Sequence, residues 1–269
     1  MQLMIANLDR IRLGYDEAGR GNGPPVLFLH GFPHNRGLWS AQLASLSAQS
    51  HCIALDLRGF GESSVAPPYS MDQYADDVAA FMDKLGIDRA IICGLSMGGY
   101  VAFAMWRRHQ QRVHALILAD TRATPDSEEG REKRRSMAQL ARDRGSVAVA
   151  DAMMPSMIGE RTRESAPHVV NAVYRILTSA NVAGIVGALD AMRERPDSTP
   201  TLATIDVLTL IIVGEDDVLT PIADAESMHR AIYGSRLQVI GRAGHVSNME
   251  RPAAFNHVLG EFLSVVRHT

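Results

Sequence analysis

Residues 90–99 read Ala-Ile-Ile-Cys-Gly-Leu-Ser-Met-Gly-Gly, and a mostly apolar stretch continues from there to His109. Ala90–Cys93 is short, continuous and apolar, the mark of a strand covered on both faces. Met97–His109 is apolar nearly all round, as expected of a helix packed in the centre of a domain. Between them stands G-x-S-x-G in the strand–turn–helix setting that gives the motif its meaning. Ser96 must sit in a sharp, strained turn, and only glycine at 94 and 98 lets the crossing backbones approach closely enough. The helix that begins at Met97 adds its positive N-terminal dipole beside a developing oxyanion. A glycine-rich turn with an idle surface serine carries the same letters; the strand before and the helix after argue against it.

The same kind of apolar run recurs on either side, at Val26–Leu29, His51–Leu55, Val113–Ala119, Val207–Val213 and Leu237–Ile240. Helical patterns alternate with them: Met71–Leu85, with Tyr74, Val78, Phe81, Met82 and Leu85 on one face, then Pro221–Tyr233 and Pro252–Val266, each with proline in its first turn. Met1–Asn7 and Arg10–Glu17 read as half-buried strands joined by a tight turn, with a Gly/Pro-rich break at Gly19–Pro25. Strands alternating with helices predict an α/β fold: a mostly parallel, doubly wound sheet with an antiparallel start. Residues 120–206 are far more than one crossover requires. Ser127–Arg144, Val147–Met157, Pro167–Ala180 and Val182–Arg195 all read as helices. The predicted organisation is therefore a core of residues 1–124 and 201–269 with a helical cap at 125–200. The mixed-sign tract Ser127–Arg135 reads as a solvated helix face.

Composition narrows the classes. The chain has 269 residues, 46% hydrophobic and 21% charged, with a net charge of −3. This is an ordinary globular composition, with no basic excess for nucleic acid and no basic amphipathic stretch for a membrane surface. No apolar run approaches the roughly 18 residues of a membrane span, and Met1–Leu13 lacks a signal peptide's apolar block, so a cytoplasmic location is expected. Cys52 and Cys93 lie in apolar strand-like runs and read as buried thiols rather than nucleophiles.

A hydroxyl becomes a good nucleophile only when a base takes its proton. Of ten histidines, His245 stands out, in Gly241-Arg242-Ala243-Gly244-His245 straight after the strand Leu237–Ile240. Loops at the carboxyl ends of strands are where an open α/β sheet assembles its sites. His34, His51, His109, His114, His168, His229, His257 and His268 have no such setting, and His30 reads as a loop-fixing residue. In this topology the acid falls between serine and histidine. Glu215, Asp216 and Asp217 follow the strand Val207–Val213 and all qualify, with Asp120 as a runner-up whose plain role is a turn or helix cap. Oxyanion binding needs two backbone N–H groups: Met97 supplies one, and Phe32, in His30-Gly31-Phe32-Pro33, the other, since Pro33 has none. Asp56-Leu57-Arg58-Gly59-Phe60-Gly61-Glu62-Ser63 matches neither phosphate-binding spacing and reads as a loop bracing the site. No metal-ligand spacing is present, so neither metal nor other cofactor is expected.

These residues, taken together, resemble the α/β-hydrolase superfamily over essentially the whole chain. The resemblance rests on 30–33, 56–63, Gly94-Leu95-Ser96-Met97-Gly98-Gly99, Gly214-Glu215-Asp216-Asp217 followed by Thr220-Pro221, and 241–245. It implies that the acid is the third residue after the strand-end glycine, which is Asp217. Within the superfamily the chain is most similar to the group of 3-oxoadipate enol-lactonases, arylesterases and cofactor-free haloperoxidases. The elbow is similar to the enol-lactonases and His-Gly-Phe-Pro to the haloperoxidase and perhydrolase members.

The expected activity is hydrolysis of a small-molecule carboxylic ester or lactone by Ser96, His245 and Asp217, with Phe32 and Met97 as oxyanion hole. Perhydrolysis, C–C bond hydrolysis of diketones and acyl-homoserine lactone opening would use the same triad. From another class, a small-molecule receptor could retain it. Haloalkane dehalogenase and epoxide hydrolase chemistry needs a carboxylate where Ser96 stands. Met153, Met154, Met157, Val173, Ile176, Leu177 and Ile185 would either line an apolar acyl site or simply pack the cap. No nucleic-acid or membrane partner is expected, and homo-oligomerisation is compatible with the sequence.

Overall fold

The structure, a computed structural model, describes residues 4–21 and 23–267. The first three residues of the predicted strand Met1–Asn7, Asn22 of the predicted break and His268 lie outside them. In chain order the elements are β1 (Met4–Asn7), β2 (Arg12–Ala18), β3 (Val26–Leu29), α1 (Ser40–Leu46), β4 (Cys52–Leu55), α2 (Met71–Lys84), β5 (Ala90–Leu95), α3 (Met97–His109) and β6 (Val113–Ala119). Then follow α4 (Glu128–Met157), α5 (Glu160–Ser165), α6 (Pro167–Thr178), α7 (Val182–Arg193), α8 (Thr199–Leu202), β7 (Thr209–Gly214), α9 (Ile222–Ala231), β8 (Arg236–Ile240), α10 (Ser247–Glu250) and α11 (Pro252–Val266).

Among the described residues the strands form one sheet in the order β1-β2-β4-β3-β5-β6-β7-β8. β1 and β2 pair antiparallel, as do β2 and β4, and every later pairing is parallel. The reason lies in the side chains. β3, β4, β5 and β7 are buried along their whole length, which only a sheet covered on both faces permits. Alternate residues serve opposite faces. Leu27, Leu29, Ile92, Leu118 and Ile211 pack with α2, α3 and α9. Val26, Phe28, Cys93, Ile117 and Ile212 pack with α1 and α11 around Trp39 and Phe255. Burying each such aliphatic side chain contributes about 1.5–3 kcal/mol. The result places the carboxyl ends of β3, β5, β6, β7 and β8 along one edge.

Residues 120–208, between β6 and β7, hold α4 to α8. Two helices predicted at 127–157 form a single run broken at Gly145, whose φ of 77° and ψ of −177° are essentially glycine-only. Pro221 caps α9 rather than entering its first turn. The short helices α1, α5, α8 and α10 were not predicted, being too brief for a clear period. No single helix among the described residues is long and apolar enough to cross a membrane; the apolar pair α6 and α7 bends by 92° between its members.

Candidate active site

Ser96 stands between β5 and α3 with φ 55° and ψ −113°, in the region a β-carbon disfavours. Its neighbouring glycines allow the close crossing of backbones on either side of it. A β-carbon on Gly94 would lie 2.2 Å from the Gly98 carbonyl oxygen, and one on Gly98 would lie 2.2 Å from that of Leu29. The Ser96 N–H donates to Ala119 O (2.9 Å), and Thr121 Oγ1 donates to Ser96 O (2.8 Å), pinning the turn to the end of β6.

His245 arrives from the loop after β8. Its Nε2 lies 2.8 Å from Ser96 Oγ and its Nδ1 2.8 Å from Asp217 Oδ2. Both His245 and Asp217 are under 5% exposed, whereas Ser96 keeps partial access to solvent. Asp217 also accepts from Leu219 N (2.8 Å) and Thr220 N (3.0 Å) at Oδ1, and from Thr220 Oγ1 (2.6 Å) at Oδ2. An ionised carboxylate only accepts, so Nδ1 carries the imidazole proton and the Nε2 lone pair faces the serine hydroxyl. Burial pushes Asp217 up, but His245 and the Thr220 bonds outweigh it and hold the carboxyl below its ordinary value. Burial likewise opposes a charged His245, yet the Asp217 charge and hydrogen bond raise the imidazole above its ordinary value.

The other two acids point elsewhere. Glu215 accepts from Arg242 N (2.8 Å), and Asp216 is exposed. The runner-up Asp120 is fully buried behind the triad, accepting from Gly214 N and Ser247 Oγ; it bonds to neither His245 nor Asp217.

The loop at 30–33 abuts Ser96: a β-carbon on Gly31 would lie 3.2 Å from Ser96 Cβ. Met97 opens α3, where a backbone N–H has no partner within the helix. His30 fixes the loop. Its Nε2 accepts from Leu57 N (3.0 Å), so Nδ1 donates to Gly31 O (2.8 Å). Burial lowers His30 to about 4, keeping it neutral. The loop at 56–63 is braced in turn, with Arg58 on Asp77 (2.7 and 2.6 Å) and Arg36 on Asp56. Arg58 and Asp77 are both buried.

Two side chains near the triad gave no signal in the sequence. His34 is buried with neither ring nitrogen paired, and burial, then His30 and His245, lower it to about 3. Glu250 accepts from Gly244 N (2.8 Å) and Gly159 N (3.0 Å), tying the base loop to the start of α5. A buried acid four residues into a helix-rich tail has no pattern of its own; only its partners, remote in sequence, reveal it. Of the methionine and aliphatic stripe, Met157, Val173, Leu177 and Ile185 are wholly buried, while Met153, Met154 and Ile176 are half-buried. Cys52 and Cys93 are buried free thiols, raised by burial, Cys52 to about 12. No cluster of three or more His, Cys, Asp or Glu among the described residues is arranged to hold a metal ion.

A family model described as the alpha/beta hydrolase fold matches residues 24–152. The 3-oxoadipate enol-lactonase 2 of Acinetobacter baylyi is 31% identical over 250 residues, 93% of this chain and 92% of that protein. Among solved structures, a thermophilic esterase from Thermogutta terrifontis, malate bound, superposes with a TM-score of 0.94 at 39% identity, covering 99% of this chain and all of that one. An enol-lactonase from Burkholderia xenovorans LB400 follows at 0.90 and 31%, covering 97% and 100%.

Proposed function

The chain belongs to the α/β-hydrolase superfamily, with relatives named as enol-lactonases and esterases, and we propose that it hydrolyses a carboxylic ester or lactone through an acyl-enzyme on Ser96. The observation that carries this reading is the continuous line of contacts from Asp217 through His245 to Ser96, 2.8 Å at each step.

Ser96 Oγ attacks the carbonyl carbon while its proton passes to His245 Nε2. Asp217 holds the imidazole tautomer and stabilises the imidazolium. Negative charge gathers on the former carbonyl oxygen, where the amides of Phe32 and Met97 receive it beside the N-terminus of α3. Collapse expels the alkoxide, which takes the Nε2 proton; in a lactone the alcohol stays tethered to the acyl group. Water, deprotonated by His245, then frees the acid by the same route. Residues 125–200 act as the cap over this edge, with half-buried Met153 and Met154 supporting an apolar part of the substrate.

The test is a panel of p-nitrophenyl esters of graded chain length, aryl acetates and lactones on wild type and Ser96→Ala. Wild type should turn over esters or lactones, with Ser96→Ala lower by roughly 10³-fold or more. Ligand binding without turnover by either protein would mark a receptor, and full activity in Ser96→Ala would overturn the reading.

A further inference from the structure

The end of β6 and the turn after it touch every segment that carries the triad. Ala119 and Thr121 hold the backbone of Ser96. Between them Asp120 donates its N–H to Ile212 O (2.9 Å) on the strand leading to Asp217. Its carboxyl reaches two further segments: Oδ1 accepts from Gly214 N (2.8 Å), three residues before Asp217, and Oδ2 contacts Ser247 Oγ (2.6 Å), two residues after His245. The residue is fully buried and holds φ at 44°, a combination that persists only where surroundings impose it. A turn alone would be served by glycine or asparagine. Burying a carboxyl is costly unless its oxygens are paired. Both oxygens here are paired, one to the acid's strand and one to the base's loop.

We propose that Asp120 is a positioning residue whose carboxyl ties the acid-bearing strand end to the base-bearing loop and so sets the Asp217–His245 hydrogen bond. The proposal rests on the triad reading above.

The protonation of the strut follows from its place. Burial, then the neighbouring Asp217 charge, raises Asp120 to about 8. Both carboxyl oxygens accept, Oδ1 from Gly214 N and Oδ2 from Ser247 Oγ. The groups facing it are Asp217 and His245; beyond these, Arg122 and His34 act on the imidazole and Asp224 on Arg122 and Asp217. Asparagine keeps both ties, its carbonyl accepting from Gly214 N and its amide donating to the Ser247 hydroxyl, which can rotate to accept. Alanine removes both bonds.

The experiment compares wild type, Asp120→Ala, Asp120→Asn, Ser247→Ala and Ser96→Ala in two readouts: kcat and KM on an active ester, and NMR titration of ¹³C-labelled His245. Asp120→Ala should lower kcat by about 10- to 100-fold with little change in KM and shift the His245 midpoint down as the Asp217 contact loosens. Asp120→Asn should restore both to near wild type while losing the alkaline inflection that ionisation of Asp120 imposes on His245. Should Asp120→Ala not fold, Ser247→Ala, which cuts one arm, should show a smaller kcat loss and a downward midpoint shift. Wild-type kcat and midpoint in a folded Asp120→Ala or in Ser247→Ala, or Asp120→Asn as impaired as Asp120→Ala, would overturn the proposal. Retained activity in Ser96→Ala would sink the hydrolase reading instead, and the His245 midpoints would still decide the strut.

Discussion

Three acids stand in a row at 215–217, and their surroundings make them chemically unlike one another. Only Asp217 is buried, and only its carboxylate meets an imidazole, at 2.8 Å. Asp217→Asn should therefore lower kcat by roughly 10³- to 10⁴-fold, whereas Asp216→Asn, changing an exposed side chain, should leave the rate near wild type; equal losses would refute the assignment. A pH prediction follows from the same contact. His245 must be neutral to act as base, and Asp217 raises its pKa. The acid limb of kcat/KM should then have its midpoint above the ordinary histidine value of about 6.5. In the residual activity of Asp217→Asn the largest upward push on His245 is gone while burial's downward push stays, so the midpoint should fall; a limb unmoved by the substitution would contradict the coupling. Ser96 and His245 were legible in the sequence because each follows a strand with glycines beside it. Asp217 was not separable from its neighbours by residue type, and the family resemblance alone singled it out. Asp120 was legible only as a runner-up acid, since its use depends on Gly214 and Ser247, far along the chain.

At the scale of elements, the tight turn from β5 into α3 depends on glycines whose absent side chains are the whole point. A Gly98→Ala β-carbon would press on the backbone of β3 at 2.2 Å, where β3 cannot retreat without breaking the sheet nor α3 without moving Ser96. We expect a loss of at least about 3 kcal/mol in urea unfolding, or no soluble protein. Gly260→Ala is the contrasting case: it lies inside α11 with nothing within 4 Å of the added carbon, and should stabilise by about 0.5–1 kcal/mol. Equal destabilisation by both would show that the close crossing is not what Gly98 serves. The central parallel strands β3, β4, β5 and β7 were readable because each is a short run buried on both faces. The short helices α5, α8 and α10 were not, because one or two turns do not establish a period and tertiary contacts decide them.

Across the whole molecule, the helical stretch and the base loop are fastened together. His245 N donates to Met157 O (3.2 Å), and Glu250 spans Gly159 and Gly244. The helices between β6 and β7 and the loop of His245 thus share a boundary, at a place where the sequence shows only separate helices and a loop. The boundary's existence was legible from the length of residues 120–206; its contacts were not, because they join residues some 90 positions apart. The proposed chemistry turns on a covalent acyl intermediate at Ser96, and intact-protein mass spectrometry after a rapid-quench pulse of a p-nitrophenyl ester detects it. The prediction is one added acyl mass per chain, mapped by peptide digestion to Ser96 and absent from Ser96→Ala. An adduct on another residue, or turnover of the ester with Ser96 never modified, would contradict it.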